Sequence, residues 1–113
     1  MAKEYLEKLT VLFEGLSSNK IKNSDFAIKH FFSGAAVYIN NNICITLTPA
    51  GLAIKLPETT RQELMKKKGT KPLRYFPNGH IKKEYVVLPQ RMVDDKKILT
   101  KLIMESFAYG RSK

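Results

Sequence analysis

The sequence predicts an α+β domain of order α-β-β-β-α-β-β-α, with one antiparallel sheet packed by the terminal helices. Three observations lead there. Short apolar runs at Ala35 to Ile39, Ile43 to Leu47 and Leu52 to Leu56 are separated by Asn40-Asn41-Asn42 and Thr48-Pro49-Ala50-Gly51, turn-forming clusters of hairpin length. Segments near both chain ends repeat apolar residues at helical spacing. At 113 residues the chain is long enough for one sizeable core and too short for two, so residues 1–113 are read as a single domain.

Taken in order, Leu6, Leu9, Leu12, Phe13 and Leu16 recur at three and four over Lys3 to Leu16, with Glu4, Lys8 and Glu14 on the polar side. Residues Ser17 to Asp25 are polar and basic apart from Ile21 and read as a loop. Phe26 to Phe32 alternates weakly, as either an extra edge strand or an extended lead into the meander. Gly34 supplies backbone freedom where the chain must bend or approach a neighbour closely. After the meander, Pro57 and Glu58-Thr59-Thr60 suit a helix start, and a second helix is expected from about Glu58 to Lys68, closed by Gly69. Its apolar stripe is thin, essentially Leu64 and Met65.

A second hairpin follows. Pro72 to Phe76 is one strand, Pro77-Asn78-Gly79 the turn, and Lys82 to Leu88 its partner, closed by Pro89. From Gln90 to about Tyr109 the residues Met92, Val93, Ile98, Leu99, Leu102, Ile103 and Phe107 lie on one helical face, with Asp94-Asp95 near the start and Gly110 past the end. The tail Arg111-Ser112-Lys113 is expected to fray.

The net charge is +10, which favours anionic partners such as nucleic acid or acidic protein surfaces. Nine cations, Lys55, Arg61, Lys66, Lys67, Lys68, Lys71, Arg74, Lys82 and Lys83, face only Glu58 and Glu63 between residues 55 and 83. They form the candidate binding surface, expected on the side of the sheet away from the terminal helices. Lys66-Lys67-Lys68 has a second account, because cations in a last helical turn complement the helix dipole. No apolar run approaches the roughly 20 residues that span a bilayer, and the N-terminus lacks the h-region of a secretory leader. The single Cys44 excludes an internal disulfide and reads as a buried, inert thiol. A reducing cytoplasm is the expected location.

The segment from Phe31 to Pro89 resembles the N-terminal domain of the TfoX/Sxy family, bacterial proteins linked to the regulation of competence. The resemblance is carried by Phe32, Ser33 with Gly34, Tyr38, the Asn40 to Asn42 turn, Ile54-Lys55-Leu56, Thr60-Arg61, Gly69 with Pro72, Tyr75, Tyr85 and Pro89. It covers roughly two thirds of the chain in one register. Ser33, Ala35-Ala36 and Leu73 depart from the usual glycines and aromatics. The resemblance implies a compact, secretion-chaperone-like α+β domain with no established catalytic activity. The chain reads as a stand-alone module without the second, helix-hairpin-helix-like domain of the longer competence regulators.

Candidate chemistry is sparse. His30 and His80 have no second ligand at metal spacing and Cys44 has no nearby base, so no metal, cofactor or catalytic residue is expected. Alternation places Lys55 on the face opposite Ile54 and Leu56; there it is either solvated or, if covered, paired with Glu84 or Glu63. Aromatics among cations from Arg74 to Tyr85 offer a base-stacking surface, although Tyr75 and Phe76 point to opposite faces of a strand and one of them belongs to the core. The leading expectation is a non-enzymatic interaction module that binds a protein partner, a component of the transcription machinery or one of its regulators. Nonspecific nucleic-acid binding through Lys66 to Lys83 is the alternative. An enzyme would need a deep cleft lined by Lys55, Arg61 and Tyr85. Open sheet edges also allow a homodimer.

Overall fold

The computed structural model describes residues 2–16, 18–74 and 79–112. Its elements are α1 (Ala2–Glu14), α2 (Asn19–Lys22), β1 (Phe26–Phe31), β2 (Gly34–Ile39), β3 (Asn42–Thr48), β4 (Gly51–Lys55), α3 (Glu58–Met65), β5 (Lys71–Leu73), β6 (Lys82–Val87), α4 (Gln90–Val93) and α5 (Lys96–Arg111). The strands form one antiparallel sheet of order β1-β2-β3-β4-β6-β5. This is the expected α+β architecture with three elements added. Tyr75, Phe76, Pro77 and Asn78, and with them all but Gly79 of the expected turn and the end of the fourth expected strand, lie outside the described residues, as does Lys113 of the expected tail.

Each addition has a physical cause. Phe26 to Phe31 is an edge strand, paired with β2 from Phe26↔Ile39 to Phe31↔Gly34, so one of its two expected readings is the observed one. Within the Ser17 to Asp25 stretch, the Ile21 amide donates to Ser18 Oγ at 3.3 Å and Ile21 is buried in the main core, which together hold a single turn of helix. The expected last helix breaks at Asp94-Asp95. There Asp95 Oδ1 accepts from the amides of Lys97 (3.1 Å) and Ile98 (3.2 Å), so its side chain starts α5 afresh instead of sitting inside a continuous helix.

Turn chemistry sets the meander. Asn40 and Asn41 adopt φ of 49° and 65°, the positive values at both central positions that a tight I′ hairpin requires. At the next turn Thr48 Oγ1 accepts from the Ala50 amide at 3.1 Å. The helices roof one face of the resulting sheet. Leu9 and Phe13 of α1 and Leu99, Leu102, Ile103 and Phe107 of α5 are buried against Ala35, Val37, Ile39, Ile45, Leu52 and Ile54. Phe13, Phe26 and Phe107 pack as an aromatic group with centroids 5.1 to 6.4 Å apart. Truncating Phe107 to Ala would cost about 3–5 kcal/mol.

Polar contacts then position α5 on the sheet. Asn42 Nδ2 donates to the Gly110 carbonyl at 3.0 Å, Ser106 Oγ to the Cys44 carbonyl at 3.3 Å, and the Tyr109 hydroxyl to Glu84. The opposite face carries a row of small residues in register, Ala36↔Thr46↔Ala53, continued by Val87. Ala53, Leu73 and Val87 form a second, smaller buried cluster there.

Candidate binding groove

Helix α3 builds the candidate site. Pro57 occupies its N-cap position with an extended ψ of 157°, Glu58 places an acid in the first turn, and Leu64 is its buried residue. One buried side chain anchors little more than two turns, so the helix ends at Met65 rather than the expected Lys68, with Lys66 as C-cap. Lys66, Lys67 and Lys68 are exposed at and beyond that end, so the last turn itself holds no cation and the dipole account of the triplet loses its premise for all but the C-cap Lys66.

Between α3 and the β5–β6 pair lies an open groove of about 540 Å³. Glu58, Arg61, Gln62, Met65 and Lys66 line it from the helix, and Pro72, Ile81, Lys83, Tyr85 and Val86 from the strands and the segment before β6. Met65 and Ile81 are large apolar residues left 43% and 42% exposed. Arg61 is half-buried; its guanidinium donates to the Lys83 carbonyl, and its Nε is a buried donor without a hydrogen-bond partner among the described residues. The Arg61 bond ties α3 to the start of β6, so the groove has a fixed wall.

The nine candidate cations divide. Arg61, Lys66 and Lys83 meet in the groove, whereas Lys67, Lys68, Lys71, Arg74 and Lys82 are exposed outside its lining. Lys55 is elsewhere: half-buried, with its Nζ 5.4 Å from the centroid of the Tyr85 ring, opposite which it sits in the β4–β6 register. The contact it makes there is with an aromatic ring, while Glu84 accepts from Tyr109. Among the described residues, Arg61 and Tyr85 line this groove and Lys55 does not. The expectation that the cations gather away from the helices is corrected for Arg61 and Lys66. Leu64 belongs to the main core and Thr60 Oγ1 donates to Glu105 of α5 at 2.8 Å, which puts α3, with Arg61 and Lys66, on the helix side.

The other motif residues hold the framework. Tyr38 is half-buried with the Lys29 ammonium 5.2 Å from its ring centroid, and the Tyr85 hydroxyl donates to the Ile43 carbonyl at 3.1 Å. Gly69, at φ 91°, packs against Pro89, where an added Cβ would lie 3.0 Å from the proline Cβ. Pro72 lies in β5 and lines the groove, Gly34 is buried, and Phe32 is 83% exposed at the β1–β2 turn with φ 47°. Tyr75 lies outside the described residues.

A single sheet roofed on one face by helices, with an apolar groove rimmed by cations, defines a small α+β domain whose recognisable motif is largely framework. The chain belongs to the TfoX N-terminal domain family, a regulatory type of domain: the model of that family matches residues 23–109, from the turn before β1 to the last turns of α5. No curated protein matches the chain. Among the described residues, no helix is long and apolar enough to cross a membrane, and no group of three or more His, Cys, Asp or Glu side chains comes together as a metal site.

Proposed function

We propose that this TfoX-like domain is a non-enzymatic bacterial interaction module of the cytoplasm that binds a protein partner in transcriptional, competence-type control, and that the α3–β6 groove receives a segment of that partner. The observation that carries the reading is the exposure of Met65 and Ile81 in the same groove as Arg61, Lys66 and Lys83. Large apolar side chains gain by leaving water, about 25 cal/mol per Å² buried, and nucleic-acid backbones offer them little. Cations at the rim select an acidic segment and steer its approach.

The test is a pull-down from the source bacterium with wild type and with Met65→Asp/Ile81→Asp, both positions being exposed and outside the core. A partner held by wild type and lost by the variant is expected; equal capture by both overturns the groove assignment. Direct nucleic-acid binding is the second reading, supported by the exposed Lys67, Lys68, Lys71, Arg74 and Lys82. Mobility shifts at two salt concentrations decide it: a low-salt shift that the Asp variants keep and that fades at the higher salt favours it over the first, and no shift even at low salt removes it.

A further inference from the structure

A second groove, of about 700 Å³, runs along the outer side of α5. Lys96, Lys97 and Lys101 line its N-terminal half, Met104 and Ala108 its C-terminal half, and Ser18 forms part of the opposite wall. The three lysines are exposed, and Lys96 and Lys97 fall in the first turn of a 16-residue helix, where the dipole disfavours cations and the first turn holds no acid. A local choice that works against its own element points to a demand from outside it. Glu105 is the acid in the lining, and its Oε1 accepts from Thr60 at 2.8 Å on the side of α3. Three cations therefore outnumber one engaged carboxylate.

We infer that this groove docks an acidic amphipathic segment of a partner protein, with carboxylates against Lys96, Lys97 and Lys101 and apolar side chains on Met104 and Ala108. Charge complementarity selects the occupant: the rim is cationic at one end and the floor apolar at the other, so a segment with acids at one end and leucine-like residues at the other meets both. Lys20 and Arg111 share a smaller adjoining pocket with Met104 and Ala108, so a bare polyanion would meet cations at both ends but would leave those two apolar side chains without an apolar partner. The site is separate from the α3–β6 groove, since α3 turns Thr60 toward Glu105 and lines the other groove with Glu58, Arg61, Gln62 and Met65. The inference stands whether or not the first groove binds its partner.

The probe is a fluorescein-labelled synthetic helix of about 14 residues, with Glu on the first two turns and Leu at i, i+4 beyond them, titrated by fluorescence anisotropy. Saturable binding is expected, weakened about tenfold or more by Lys97→Glu/Lys101→Glu and by Ala108→Glu, all exposed positions. The double variant should in turn prefer a probe whose Glu residues are replaced by Lys. Met65→Asp/Ile81→Asp, in the other groove, should leave the affinity within about twofold. Binding unaffected by the α5 substitutions, binding lost equally on the α3–β6 substitutions, or displacement of the probe from wild type by duplex DNA with no loss on Ala108→Glu would each overturn the inference.

Discussion

A Cβ built on Gly34 would lie 2.0 Å from the Leu47 carbonyl oxygen and 2.9 Å from Thr48 Cα, both backbone atoms of the neighbouring strand. Backbone cannot swing aside as a side chain can. Gly34→Ala should therefore destabilise the fold by about 3 kcal/mol, at the upper end of the range for overpacked sites, read as a lowered urea midpoint; an unchanged midpoint would refute the close approach. The need for a glycine here was legible from its place between Phe32 and Ala35, but the atom it makes room for was not. Cys44 is buried under α5, with its Sγ 3.7 Å from the Ser106 carbonyl oxygen. Burial pushes its pKa above the ordinary 9.0, against the smaller opposing pulls of Ser106, Lys55, the Ile39 backbone and Arg111. The folded state thus holds the thiol proton where the unfolded chain has released it. Its contribution to stability is full below the unfolded value and declines as pH rises from there toward the folded one. Urea titrations between pH 7 and 10 should show a steeper alkaline loss for wild type than for Cys44→Ala, and identical slopes would contradict it. Thiol reagents should leave the native protein unmodified at neutral pH and label it in urea.

At the scale of elements, α5 depends on its start. Asp95 accepts from two amides there, and Asp95→Ala should cost about 1 kcal/mol, with Asp95→Asn retaining most of it. Equal loss in both variants would mean that charge and not capping is responsible. The two adjacent aspartates announced a helix start in the sequence, yet the apolar periodicity of Met92 and Val93 ran through them and masked the break. Strand β1 shows the opposite case. Its alternation is weak because, as an edge strand, it exposes Ala27, Lys29 and His30 and buries Phe26 and Ile28 only in part, so the pattern that marks a half-buried strand is diluted. Helix α2 had no local signal beyond Ser18, because a four-residue helix exists through tertiary burial of Ile21 and not through propensity.

For the whole molecule, a net charge of +10 ensures some attraction to any polyanion, and salt separates that from groove binding. Affinity for duplex DNA, measured by anisotropy at about 50 and 200 mM salt, should fall by orders of magnitude if several phosphates are contacted. Occupation of the α3–β6 groove, which rests on Met65 and Ile81, should lose far less, and equally steep salt dependence for both would argue that the groove acts through charge alone. The elements of the meander, the terminal helices and the excess of cations between residues 55 and 83 could be read along the chain, because turn chemistry, periodicity and charge are properties of neighbouring residues. It took the packed fold to show that Arg61, Lys66 and Lys83 share a groove while Lys55 stacks on Tyr85 across the β4–β6 pairing. The same packing brings Lys96, Lys97 and Lys101 into one groove with Met104 and Ala108 along α5. Which distant side chains become neighbours is settled by how helices and strands bury their apolar faces together, and that is a property of the packed chain and of no segment within it.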